Sequence, residues 1–175
     1  MHGLIDKKIA FDVAQIKCIM RQLLNAMLYI HSKNVMHRDI KGANILMDNK
    51  GNVKVTDFGL AKEFEPHRLI NYTNRVVTPW YRCPELLLGA EKYTSAVDMW
   101  SVGCFFAELL TSRALFPGNT EAKILELIFE KCGTPTEETW PGVSKLRLFN
   151  EFAGRKRSYR RIRDEFKGNA KYTGA

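Results

Sequence analysis

No apolar run in this 175-residue sequence approaches the ~20 residues that a membrane-spanning helix needs, so no membrane partner is expected. The start, Met1 to Lys8, carries no apolar signal-peptide core, and secretion is not expected. Cysteine is sparse. Cys18, Cys83, Cys104 and Cys132 lie far apart and no C-x-x-C occurs, which argues against a disulfide framework or a thiolate zinc site. Reduced thiols in a cytosolic or nuclear protein are the better reading. No two glycines stand two apart, so there is no G-x-G phosphate loop. Internal repeats and low-complexity stretches are also missing. What the last part of the chain lacks is acid. Residues 145–175 hold ten Lys/Arg against three acids, and therefore seven of the eight net positive charges. Such a tail can bind nucleic acid or act as a nuclear-import signal. A solvated amphipathic surface is the favoured reading, and nucleic acid is not expected as a partner.

With 45% hydrophobic and 26% charged residues the composition is that of a globular protein. A chain of this length buries roughly 70% of its unfolded surface. From Asp12 to about His31, Ile16, Ile19, Met20, Leu23, Leu24, Met27, Leu28 and Ile30 recur at helical spacing. Asp12 is a candidate N-cap, and Ser32-Lys33-Asn34 closes the helix. Val35-Met36 reads as a short extended piece. Ile45-Leu46-Met47 and Val53-Lys54-Val55, joined by Asp48-Asn49-Lys50-Gly51, read as a β-hairpin with a longer turn. A long irregular segment runs from Asp57 to about Glu85, a length that usually serves function. Asp98 to Leu110 reads as a helix apolar nearly all round and hence buried. Thr120 to Cys132 reads as an amphipathic helix closed by Gly133. Beyond Pro141 the pattern weakens.

Chemistry concentrates in the polar loop His37-Arg38-Asp39-Ile40-Lys41-Gly42-Ala43-Asn44. Asp57-Phe58-Gly59 follows the hairpin, and Cys83-Pro84-Glu85 comes later. That is the order of the phosphoryl-transfer pieces H-R-D-x-x-x-x-N, D-F-G and A-P-E. Any one of them recurs by chance, whereas the ordered set with strands between the first two is specific. Moving a γ-phosphoryl group needs positioning and charge neutralisation more than covalent chemistry. Asp39 would accept or orient the proton of the attacking hydroxyl. Lys41 would neutralise the phosphoryl group in flight. Asn44 and Asp57 offer oxygen ligands to Mg²⁺ beside ATP.

On these motifs the chain resembles the serine/threonine protein kinases. Tyr72 to Gly89 resembles the activation segment of cyclin-dependent kinases, and Tyr93 to Leu110 is similar to the same family. Lys41-Gly42-Ala43-Asn44 and Thr73-Asn74-Arg75-Val76 are closest to its transcription-elongation branch, which phosphorylates the C-terminal repeats of RNA polymerase II. The resemblance covers roughly residues 1–167. It implies a mainly α, α+β family fold: a kinase C-lobe over residues 1–144 with short hairpins and an activation segment, then a basic, truncated insert and tail over 145–175. It also implies Thr78 as the partner of Asp39 and Lys41, and Thr73 as the activating phosphosite. Arg38 and Lys62 are the implied phosphate partners. Leu46 is the implied adenine floor. Val76, Val77 and Arg82 form the implied pocket for a proline after the target Ser or Thr. Glu85, Asp98 and Trp100 are structural by the same comparison.

The implied cofactors are ATP and Mg²⁺, the implied partners a Ser/Thr-Pro protein substrate and a cyclin, and the implied location the nucleus, or nucleus and cytoplasm. The family's N-lobe, with its Gly-rich loop, V-A-I-K strand and main cyclin-binding helix, is not found in this sequence, nor is the arginine that pairs with Glu85. The expectation is a marginally stable C-lobe fragment, since losing one partner of a buried ion pair costs about 3–5 kcal/mol. Pro79, where leucine is usual, and Cys83, where alanine or proline is usual, are local departures that bear on substrate docking. Three functions compete, in this order: a kinase catalytic lobe, weakly active or inactive by itself; a non-catalytic fragment that binds substrate or a partner and competes with the full kinase; and nucleic-acid binding through Arg155–Arg163.

Overall fold

Asp12 opens the first helix. In the computed structural model, which describes residues 1, 3, 11–65, 71–73, 78–153 and 157–167, its carboxylate accepts from the Gln15 backbone while the Gln15 side chain accepts from the Asp12 N–H. This reciprocal capping satisfies two orphan donors. Helix α1, Val13–Ser32, buries Ile16, Ile19, Leu23, Met27 and Ile30, the stripe that the spacing predicts. Gln22 on its other side ties down the hairpin, donating to the Gly51 carbonyl at 3.0 Å and accepting from Val53 N–H at 2.9 Å.

Strands β2 (Ile45–Met47) and β3 (Val53–Val55) pair antiparallel, with Ile45 opposite Val55. Asp48 organises the turn between them by accepting from the N–H groups of Lys50 and Asn52, and Gly51 takes a positive φ of 80°. Strand β1 (Val35–Met36) pairs with β4 (Lys62–Glu63), Met36 opposite Lys62. The segment from Asp57 to Glu85 is therefore less irregular than its sequence suggests. It carries β4, a 3-10 turn at Pro79–Tyr81, and the start of helix α2, Pro84–Leu87.

Helix α3, Ala96–Thr111, is the centre of the core and buries Val97, Val102, Cys104, Phe105 and Leu109. The expectation that it is buried all round needs correcting. Met99 and Phe106, with Gly103 between them, lie on one face and are 42% and 40% exposed. They sit at i, i+4 and i+7 on the face turned away from the core. Helix α4, Glu121–Cys132, starts at a Thr120 cap and ends at Gly133 with φ 93°. Short turns follow: a 3-10 turn at Val143–Lys145, α5 at Asn150–Ala153 and α6 at Asp164–Lys167. These basic residues are stitched to the lobe. Leu148 N–H donates to the Leu88 carbonyl, Ser158 and Thr134 exchange two hydrogen bonds, and Arg161 pairs with Glu130.

Candidate active site

The residues of the His37–Asn44 loop are held from behind by one carboxylate. Asp98, in the first turn of α3 and fully buried, accepts from the backbone N–H of His37 at 2.9 Å and of Arg38 at 2.7 Å. Its Oδ2 also lies 2.8 Å from His31 Nε2 on α1. Arg38 has a left-handed φ of 65°, a conformation that costs a non-glycine residue energy. Bonds to a buried charge of this kind are among the strongest available, and they hold the loop in that shape.

In front of the loop four side chains close on one another. Lys41 Nζ lies 2.8 Å from Asp39 Oδ2 and 3.0 Å from Thr78 Oγ1. Thr78 donates its hydroxyl to Asp39 Oδ1 at 3.0 Å. Asn44 donates from Nδ2 to both the carbonyl and Oδ2 of Asp39, at 2.9 and 3.0 Å. Thr78 arrives from 39 residues away, so the activation segment and the catalytic loop are in register here. Burial alone would raise the Asp39 pKa. The hydrogen bonds from Lys41 and Thr78, with the Lys41 charge, outweigh it and hold the carboxyl below its ordinary value.

Asn44 is buried and its amide nitrogen is committed to Asp39, which leaves its oxygen as a ligand atom. Asp57 follows β3 with a φ of 64° and an exposed carboxylate. Two oxygen donors of this kind suit Mg²⁺, which keeps water and substrate phosphates in its remaining positions. Phe58 stacks edge-on against His37, with centroids 4.8 Å apart, and couples the Asp57 turn to the loop. Leu46 is 52% exposed and lines an open hollow of about 830 Å³ with Ile19, Phe11, Met47 and Cys18. It is a surface-facing apolar wall and not a core residue.

The remaining sequence-predicted residues divide. Thr73 is exposed, and its carbonyl accepts from Tyr93 Oη, which in turn accepts from Arg38 Nη1 at 3.0 Å. Arg38 thus reaches the Thr73 backbone through Tyr93, a link with no sequence signature. Lys62 is exposed on β4. Val76 and Val77 lie outside the described residues. Arg82 is buried and its guanidinium pairs with Glu121 at the start of α4. Glu85 has no ion pair among the described residues, and burial raises its pKa. Trp100 stacks on Phe116 with centroids 5.8 Å apart, and its buried Nε1 has no hydrogen-bond partner among the described residues. Trp100 and Asp98 brace the core and the loop. Sequence reasoning also missed Tyr81, whose hydroxyl donates to Glu108 at 2.7 Å and whose carbonyl accepts from Ser101.

A family description, the protein kinase domain, matches residues 1–164, and the chain belongs to the protein kinase family. Within that family its relatives include cyclin-dependent kinases. The chain is 54% identical over 168 residues to cyclin-dependent kinase C-1 of Arabidopsis thaliana, covering 95% of this chain and 33% of that protein. It is 47% identical over 166 residues to cyclin-dependent kinase 12 of Caenorhabditis elegans, covering 94% of this chain and 23% of that protein. Among solved structures it resembles the yeast RNA Pol II CTD kinase CTDK-1 complex, at 41% identity and a TM-score of 0.90. That match covers 96% of this chain and 56% of the other. The CAK complex of Chaetomium thermophilum bound to ATP-gamma-S is also similar, at 42% identity and a TM-score of 0.86, over 96% of this chain and 52% of the other. The chain spans about a third of the length of the plant relative it matches.

Proposed function

We propose that the chain is the catalytic and peptide-binding lobe of a cyclin-dependent-type serine/threonine kinase. It transfers the γ-phosphoryl group of ATP to a Ser or Thr hydroxyl that is followed by proline. One observation carries this reading: the closed set of Asp39, Lys41, Thr78 and Asn44 around a single carboxylate kept ionised. Asp39 orients the acceptor hydroxyl and takes its proton as the oxygen attacks. Lys41 has three N–H donors. Two are committed to Asp39 and Thr78, and the third serves an oxygen of the phosphoryl group. Thr78 fixes the Asp39 rotamer and brings the peptide-binding segment to the reacting atoms. Asn44 and Asp57 hold Mg²⁺, which supplies charge neutralisation on the phosphates when bound. Leu46 supports the adenine ring.

The similarity to the plant C-type kinases and to the yeast kinase named for the polymerase tail supports C-terminal repeats of RNA polymerase II as substrate. It equally supports a cyclin partner; the nucleus is the proposed site of action on the sequence resemblance and the basic residues 145–175. Thr73, exposed and linked to Arg38 through Tyr93, is the proposed activating phosphosite.

A second reading has one observation in its favour. The half-exposed Leu46 wall faces an open hollow that a partner's side chains could fill. Under that reading the chain binds substrate or a partner without transfer and competes with the full kinase. The test is ATP-dependent phosphorylation of a Ser-Pro peptide by this chain alone and by the same sequence joined to a kinase N-lobe. We expect weak or no transfer alone and robust transfer when joined, with Asp39→Asn lowering it by about 10²–10⁴. An unchanged rate in Asp39→Asn would overturn the kinase reading. No transfer in either form, with Ser-Pro peptide still bound, would favour the second.

A further inference from the structure

Beside the Asp39–Lys41–Thr78 set lies a second hollow of about 650 Å³, lined by Thr78, Pro79, Trp80, Gly118, Asn119, Glu121 and their neighbours. Thr78 belongs to both, so the hollow adjoins the reacting atoms. Its wall is built. Trp80 is a large apolar side chain left 43% exposed, yet its Nε1–H donates to the Gly118 carbonyl at 2.9 Å. The ring is therefore presented to solvent and pinned at the same time. Gly118 is buried, and a Cβ there would meet the Ile124 backbone nitrogen at 2.7 Å. No other residue lets this loop lie so close to α4. Pro79, the local departure in the sequence, forms the adjoining rim with a rigid ring and no N–H.

The chemistry of the lining selects what fits. A fixed indole face is a π platform for another ring. Arg82 pairs with Glu121, so the carboxylate at the rim is already matched by a cation and gives a charged ligand no advantage. Asn119 and Thr120, both exposed, supply hydrogen-bonding groups for a hydroxyl.

We propose that this hollow is a specificity subsite for a tyrosine of the substrate peptide, close in sequence to the phosphoacceptor. The inference rests on the peptide-phosphorylating reading above and deepens it. An extended peptide advances about 3.3 Å per residue, so a subsite that begins at Thr78 takes a residue only a few positions from the acceptor. Stacking on a pinned ring with little entropy to lose is worth about three- to ten-fold in affinity.

The experiment is fluorescence anisotropy with the full 175-residue chain and labelled peptides. Each has one Ser-Pro, or Ser-Ala as control, in an alanine-rich background, with a single Tyr or a single Arg walked through the four positions on either side of that pair. The expected result is a gain of about three- to ten-fold at one position. Trp80→Ala abolishes it. So does Asn119→Trp, which fills the hollow from an exposed loop and leaves the Trp80 tether intact, while Ser-Pro is still preferred over Ser-Ala. If Ser-Pro is preferred but no Tyr position matters, the subsite is overturned and the kinase reading stands. If Arg gives the gain in place of Tyr, the subsite is a cation site and the proposal fails. Absence of binding by every peptide overturns both.

Discussion

At the scale of single residues, burial pushes the Asp39 carboxyl up while Lys41 and Thr78 pull it further down. A carboxylate whose folded-state pKa is depressed stabilises the fold above the unfolded value of about 3.9. That contribution is lost as pH falls through the depressed folded-state pKa. Lys41→Ala removes a hydrogen bond and the charge and leaves burial opposed by the hydrogen bonds from Thr78 and Asn44. The Asp39 pKa is then expected to be higher in the variant than in the wild-type protein. Carbon-detected NMR titration of the side-chain carboxyl measures both. Equal values in the two proteins would show that Lys41 does not set the ionisation of Asp39.

Helices were legible in the sequence because their signals are local and redundant. Asp12 and the Ile16–Ile30 stripe mark α1, and Thr120 and Gly133 bracket α4. The hairpin was legible because two apolar triplets flank a turn rich in Asp, Asn and Gly. Strand β4 was not, since Lys62–Glu63 is polar and exists only through its pairing with β1. The core site residues were legible as ordered motifs. Tyr93 and Tyr81 were not, because their roles come from contacts 20 residues or more away in the chain. The open face of α3 was invisible for the opposite reason: apolar residues all round cannot say which side a neighbour covers.

Among the elements, α3 carries the heaviest polar duty. Asp98→Asn keeps the volume but replaces one acceptor oxygen by an N–H₂ that faces N–H groups. Charged hydrogen bonds of this kind are worth about 1.5–3 kcal/mol. The expected loss of stability is on the order of 3 kcal/mol, a fall of about 6–12 °C in melting temperature for a chain this long. Circular dichroism melts of the two proteins check it. A shift within about 1 °C would mean that water or a rotated His31 substitutes for the carboxylate.

For the whole molecule, the four thiols divide by burial as the core does. Cys83 and Cys104 are buried, Cys132 is half-buried, and burial raises the pKa of all three. Cys18 alone is exposed. Thiolate fraction and access both control alkylation. Brief treatment of the native protein with iodoacetamide at neutral pH is expected to label Cys18, with Cys83 and Cys104 protected until denaturant is added. Peptide mass spectrometry locates the adducts, and early labelling of Cys83 or Cys104 would contradict the buried core.

The Asp98 carboxylate has a consequence for how this molecule fails. The catalytic loop keeps its left-handed turn at Arg38 only while α1, α3 and the loop share that one charge. A form in which the helices stand and the loop has drifted would leave that buried carboxylate without its backbone donors, and is disfavoured for that reason. Heat, denaturant or a distant core mutation that frees α3 is therefore expected to remove the fold and the Asp39 geometry together.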